Sequence, residues 1–237
     1  MAELKDPNRQ HWNQQFKVLQ DTWPKPDNFE TCIEICVNVH AMVHAAEMSN
    51  TGLWSLEDEL WDRMSEPAFR KIHNDDQSIA WKLWHSTRIE DITMNILIAG
   101  EPQILYSGNW LEKMGISVHD TGNAMDQKEI EVFSNSIDMQ ALRDYRIAVG
   151  RKTRNIIKSL KAEDLKKRVE SERLQRIMEE EAVVEEARWL IDYWGKKTFS
   201  GLLLMPATRH NLVHLNESMR IFGKEKSRAS GKGAIIS

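Results

Sequence analysis

Two histidine pairs carry most of the chemical potential of this 237-residue sequence: His40-Ala41-Met42-Val43-His44 and His210-Asn211-Leu212-Val213-His214. A spacing of four puts both imidazoles on one side of a helix, one turn apart, so two ring nitrogens can reach a single divalent ion. A third nitrogen from another helix would complete a three-histidine face and leave positions for water or substrate. That open position separates a catalytic metal site from a closed structural one. His85 is the natural third ligand. It lies on the stripe Trp81, His85, Ile89, Ile92, Ile96 and Ala99, beside Trp84, where an imidazole without a partner costs about 1–3 kcal/mol. The plainer reading is a core histidine hydrogen-bonded to a carbonyl or carboxylate. The His210/His214 pair points nearly opposite the apolar face Leu212, Leu215, Met219 and Phe222. Either this helix is contacted on both sides or the pair is exposed; Val213 and Ile221, which flank the histidines, favour burial.

A rival line, Cys32, Cys36, His40 and His44, holds soft ligands, but one straight helix cannot wrap four of them around an ion. The cysteines read as small core residues, and His44 as lining for a cavity shared with His85. Near His85, Arg88 can hold a substrate carboxylate or pair with Asp91 one turn away, and pairing is the favoured reading. Glu90 and Asp91 can orient a ligand imidazole from behind, or simply form ion pairs. No Walker loop, dinucleotide fingerprint, HExxH or nucleophile elbow is present.

The elements that must position these residues are helical. Eleven Gly and six Pro are few for this length, which tilts the reading away from a turn-rich β fold. Periodicity predicts long helices over 29–49, 78–99, 138–160 and 207–222, the last opened by Pro206 and closed by Gly223. Residues 1–28 form a polar segment with a short helix carrying Trp12, Phe16, Leu19 and Trp23 before Pro24 and Pro26. Residues 100–134 read as a long loop with short helices, 161–186 as a charge-dense solvated excursion, and 223–237 as a disordered tail. The expected fold class is all-α: a helical bundle over 29–222 with no internal boundary. Lys+Arg 32 against Asp+Glu 36 gives a net charge of −4, without the basic surplus of a nucleic-acid binder. Two cysteines, a polar start and no run of membrane-spanning length make reducing cytoplasm the expected setting, with no membrane contact.

Trp81-Lys82-Leu83-Trp84-His85-Ser86-Thr87-Arg88-Ile89-Glu90-Asp91 resembles the second-helix segment of the DinB/YfiT-like superfamily. Pro206-Ala207-Thr208-Arg209-His210-Asn211-Leu212-Val213-His214 resembles that family's last-helix segment. The resemblance covers roughly 29–222, though only these two segments are distinctive. It implies an up-down-down-up four-helix bundle with a divalent metal, zinc or nickel, on His85, His210 and His214. It leaves His40, His44, Arg88, Glu90 and Asp91 as cavity lining or support. It further implies metal-dependent transfer of a small thiol, or hydrolysis, on a small-molecule substrate, and a homodimer. The contrasting reading is a non-enzymatic metal sensor or helical interaction module.

Overall fold

A computed structural model describes residues 6–23, 28–72 and 77–232, with side chains described as far as Ile221. All the regular structure among these residues is helical, beyond one isolated bridge between Arg168 and Thr198. Five helices position the chemistry-bearing residues: α1 (Pro7–Thr22), α2 (Phe29–Ala41), α3 (Ile79–Asp91), α4 (Met139–Ser159) and α5 (His210–Lys232). α3 packs against α4 and α5, α4 also against α2, and α2 against α1.

The Ser78 hydroxyl opens α3 by accepting the Trp81 N–H at 2.9 Å. The chain then continues through a π-helical stretch, Ile92–Ala99, to a left-handed Gly100 at φ 71°. Every residue of α3 is buried. A helix buried all round is normally apolar, yet this one carries Lys82, His85, Arg88, Glu90 and Asp91. Each of these five needs a polar partner: Arg88 and Asp91 pair with each other, and the partners of Lys82, His85 and Glu90, which come from other parts of the chain, define the site. In α4, Asp138 caps the start by accepting Ala141 N–H at 2.8 Å, and Leu142, Tyr145, Val149 and Ile156 are buried as expected.

Four expectations are corrected. The first long helix stops at Ala41, and a turn carries His44 before the short helix Ala46–Ser49. Side chains and backbone of the next segment take up the freed polar groups: Ser55 Oγ donates to His44 O, Leu56 N–H to Met42 O, and Ala46 N–H to the Asp58 carboxylate. Pro206 does not begin the last helix. The helix opens at Phe199, capped by Thr198, and passes Pro206 in a wide π turn, Met205–Arg209. Proline cannot donate to the preceding turn, and Thr208 Oγ1 instead donates to Leu203 O and Leu204 O at 3.0 and 2.9 Å. Gly223 does not close α5, whose backbone is helical to Lys232. Residues 233–237 of the expected tail, and Pro24 and Pro26, lie outside the described residues. Finally, 161–186 is more than a solvated face. Ile177, Ala182 and Val183 are buried, and Arg173 Nη1 donates to Leu97 O and Ile98 O at 3.0 and 2.7 Å, satisfying carbonyls near the end of the π segment. The N-terminal segment also belongs to the core, with Trp12 Nε1 donating to Val39 O at 2.8 Å. No helix among the described residues is long and apolar enough to cross a membrane.

Candidate metal centre

His85 and the His210/His214 pair, far apart in sequence, come together where α3 meets α5. One ligand nitrogen from each of His85, His210 and His214 lies within 4.8 Å of the others. His210 Nε2 and His214 Nε2 are 3.1 Å apart. Metal–nitrogen bonds of about 2.0–2.1 Å in a tetrahedral shell put neighbouring ligand nitrogens about 3.3 Å apart, so this separation suits a shared ion. The orientation of the pair is resolved by two-sided contact, since Leu212, Leu215 and Met219 are buried as well.

The rings are aimed from behind. A carbonyl can only accept, so His85 Nδ1 carries the hydrogen it gives to Thr121 O at 2.7 Å, and its Nε2 presents a lone pair. His214 Nδ1 lies 3.1 Å from Glu217 Oε2, which also accepts from Lys82 Nζ at 3.1 Å. Its hydrogen likewise points away from the ion position. Ligating histidines nearly always give their second N–H to a carbonyl or carboxylate, and two of these three do so. His210 Nδ1 is buried with no partner among the described residues. Trp81 stacks on His85 at 4.6 Å between ring centres and 7° between planes, forming an apolar wall.

Electrostatics keep the lone pairs available. Burial, followed by the neighbouring His214, pushes His85 down to about 3. Burial, then His85 and His214, holds His210 well below the ordinary imidazole value. The hydrogen bond from His214, reinforced by the Lys82 charge, holds Glu217 down to about 2. His85 is buried, whereas His210 and His214 are only partly so, leaving one side of the cluster open.

A second cluster of the same kind lies deeper. His40 Nε2 is 2.9 Å from Glu90 Oε1, and His44 Nε2 is 3.0 Å from Glu90 Oε2. Their ligand atoms too lie within 4.8 Å of one another, so this buried group could also hold a metal ion. Asn211, next to His210, donates to Glu90 Oε2 at 2.7 Å. His44 therefore faces Glu90, and its expected place in a cavity shared with His85 is not what the contacts show.

Arg88 and Asp91 fall elsewhere. Arg88 Nη1 donates to Asp91 Oδ2 at 3.0 Å and to Tyr145 Oη at 2.9 Å, so the pairing reading is the one observed. Arg88 Nε and Nη2 both reach His119 O, at 3.1 and 2.7 Å, which ties down the loop whose Thr121 carbonyl aims His85. Asp91 accepts from Tyr145, Asn95, Ile104 N–H and Leu105 N–H, so it pins the following loop and touches no candidate ligand. Cys32 and Cys36 are free and buried, and burial raises the Cys36 thiol far above its usual value. Sequence reasoning missed Thr121, Asn211, Lys82 and Glu217. Only Glu217, three residues after His214 on one helix, left a readable signal.

No known protein-family model matches this chain, and no curated protein matches it either. The fold and the clusters define an all-helical protein with two histidine groups, one open on one side and one enclosed, each of which could hold a metal ion.

Proposed function

We propose that this chain is a DinB-like metal-binding protein, with α2, α3, α4 and α5 as an up-down-down-up four-helix bundle around a divalent ion on His85, His210 and His214. The observation that carries this reading is the convergence of three imidazoles from two helices, with His85 and His214 turned ring-inward by Thr121 O and Glu217. Three neutral nitrogens suit zinc or nickel. Such an ion supplies Lewis acidity and eases deprotonation of a small thiol or a water brought to its open positions.

The chain does the rest. Trp81 excludes water along one side of His85. Lys82 and Glu217 hold His214 in a single tautomer, and Arg88 holds the loop that aims His85. The partly exposed His210–His214 edge gives a small molecule access. The reaction class we assign is metal-dependent transfer of a small thiol to an electrophilic substrate, with hydrolysis as the variant. Two free thiols fit a reducing, cytoplasmic setting. The homodimer belongs to the same proposal, with sedimentation equilibrium as its check.

Metal analysis of the wild type beside His85→Ala and His214→Ala tests the centre. Each variant is expected to lack one equivalent that the wild type holds, and equal content in all three removes the site. Turnover of an electrophile panel that rises with added thiol assigns the transferase. Turnover indifferent to thiol assigns hydrolysis, and metal binding without turnover leaves a sensor.

A further inference from the structure

Three carboxylates are fully buried among the described residues: Glu57, Glu90 and Asp91. Glu57 is paired with Arg146 and Asp91 with Arg88, each at 3.0 Å. Glu90 departs from this pattern. Its described partners are His40 Nε2, His44 Nε2 and the Asn211 amide, with no lysine or arginine within ion-pair distance. A carboxylate taken out of water without a cation is one of the costliest groups a core can contain. Where the other two acids meet an arginine, this one meets two imidazoles, side chains that can donate a proton or ligate a metal. Unused polar capacity surrounds it: His40 Nδ1, His44 Nδ1 and Asn211 Oδ1 are all buried without a hydrogen-bond partner.

We propose that His40, His44 and Glu90 form a second divalent-ion site, separate from the three-histidine centre, holding its ion by two imidazole nitrogens and a carboxylate oxygen. The set is suited to zinc, iron(II) or manganese(II). On ligation each neutral ring keeps one hydrogen, which moves from Nε2 to Nδ1, so neither ring changes charge and the ion meets the Glu90 anion directly. Both Nδ1–H groups then lack an acceptor, a cost set against the attraction between a dication and a buried carboxylate. The two centres differ in kind. His40, His44 and Glu90 are each fully buried, so solvent and substrate have no direct path to an ion there, whereas the His210–His214 edge is partly exposed. This inference does not depend on the thiol chemistry proposed above.

The test loads the full chain with zinc, removes free ion and counts what stays bound. The wild type is expected to hold two ions, Glu90→Gln one and His210→Ala one. Glu90→Gln retaining the wild-type content overturns the second site. Loss in Glu90→Gln with none in His210→Ala leaves the buried site standing and removes the three-histidine centre. Should Glu90→Gln not fold, cadmium NMR of His210→Ala decides: a cadmium resonance is expected to persist in that variant, and its absence overturns the proposal.

Discussion

At the scale of single residues, the behaviour of each ionisable group on α3 is set by what it touches. Glu217 orients His214, and outer partners of this kind typically contribute 10–100-fold to metal affinity. Glu217→Gln is therefore expected to weaken zinc binding by about that factor with little change in helix content, as measured by competition with a chromophoric chelator. Arg88→Met leaves Asp91 as an uncompensated buried charge and is expected to cost about 3–5 kcal/mol in urea unfolding. The acid response of the metal-free protein has a definite sign. Burial pushes His40 down to about 4 and His85 to about 3, against an ordinary value near 6.5. The unfolded chain thus binds protons that the folded chain refuses. Stability is fully present above about pH 6.5 and falls as pH drops towards 4 and then 3, by up to about 1.4 kcal/mol per unit for each group. Denaturant melts at stepped pH check this, and a flat profile contradicts it.

At the scale of elements, the loop through Thr121 is the least legible part of the site. Its contribution is a backbone carbonyl, which no side-chain pattern encodes. Gly122 comes next at φ 72°, and a Cβ there would lie 2.9 Å from Trp81 Nε1. Gly122→Ala is expected to strain the loop by about 1–2 kcal/mol and to shift Trp81 off His85. Both effects are readable as a lower Tm and altered tryptophan fluorescence. The long helices were readable because their apolar spacing, their Ser78 and Asp138 caps and the Gly100 stop all agree. The last helix misled for a physical reason. A proline ahead of an amphipathic run reads as a helix start, but the helix already running from Phe199 takes Pro206 inside the wide turn Met205–Arg209. The first pair misled in the same way. His40 and His44 meet on Glu90 although the helix between them has ended, so the sequence spacing suggested shared chemistry but not the correct backbone or partner.

At the scale of the whole molecule, binding and folding are linked. An ion that binds only the folded chain stabilises it by about 2.7 kcal/mol at a hundredfold excess over Kd, so a chelator is expected to lower the Tm. A Tm indifferent to both zinc and chelator contradicts metal binding. The all-helical class was legible from composition and periodicity, whereas the depth of α3 was not, because partners that let Lys82, Arg88, Glu90 and Asp91 be buried come from distant parts of the chain, such as Glu217, His119, His40 and Tyr145. That depth has a dynamic consequence. With every residue of α3 enclosed, its amide protons have no shallow route to solvent, so their exchange with deuterium should report only the opening of the entire chain. An ion enclosed by Glu90, His40 and His44 would then be released on the clock of that rare event, whereas one at the His210–His214 edge has its own way out.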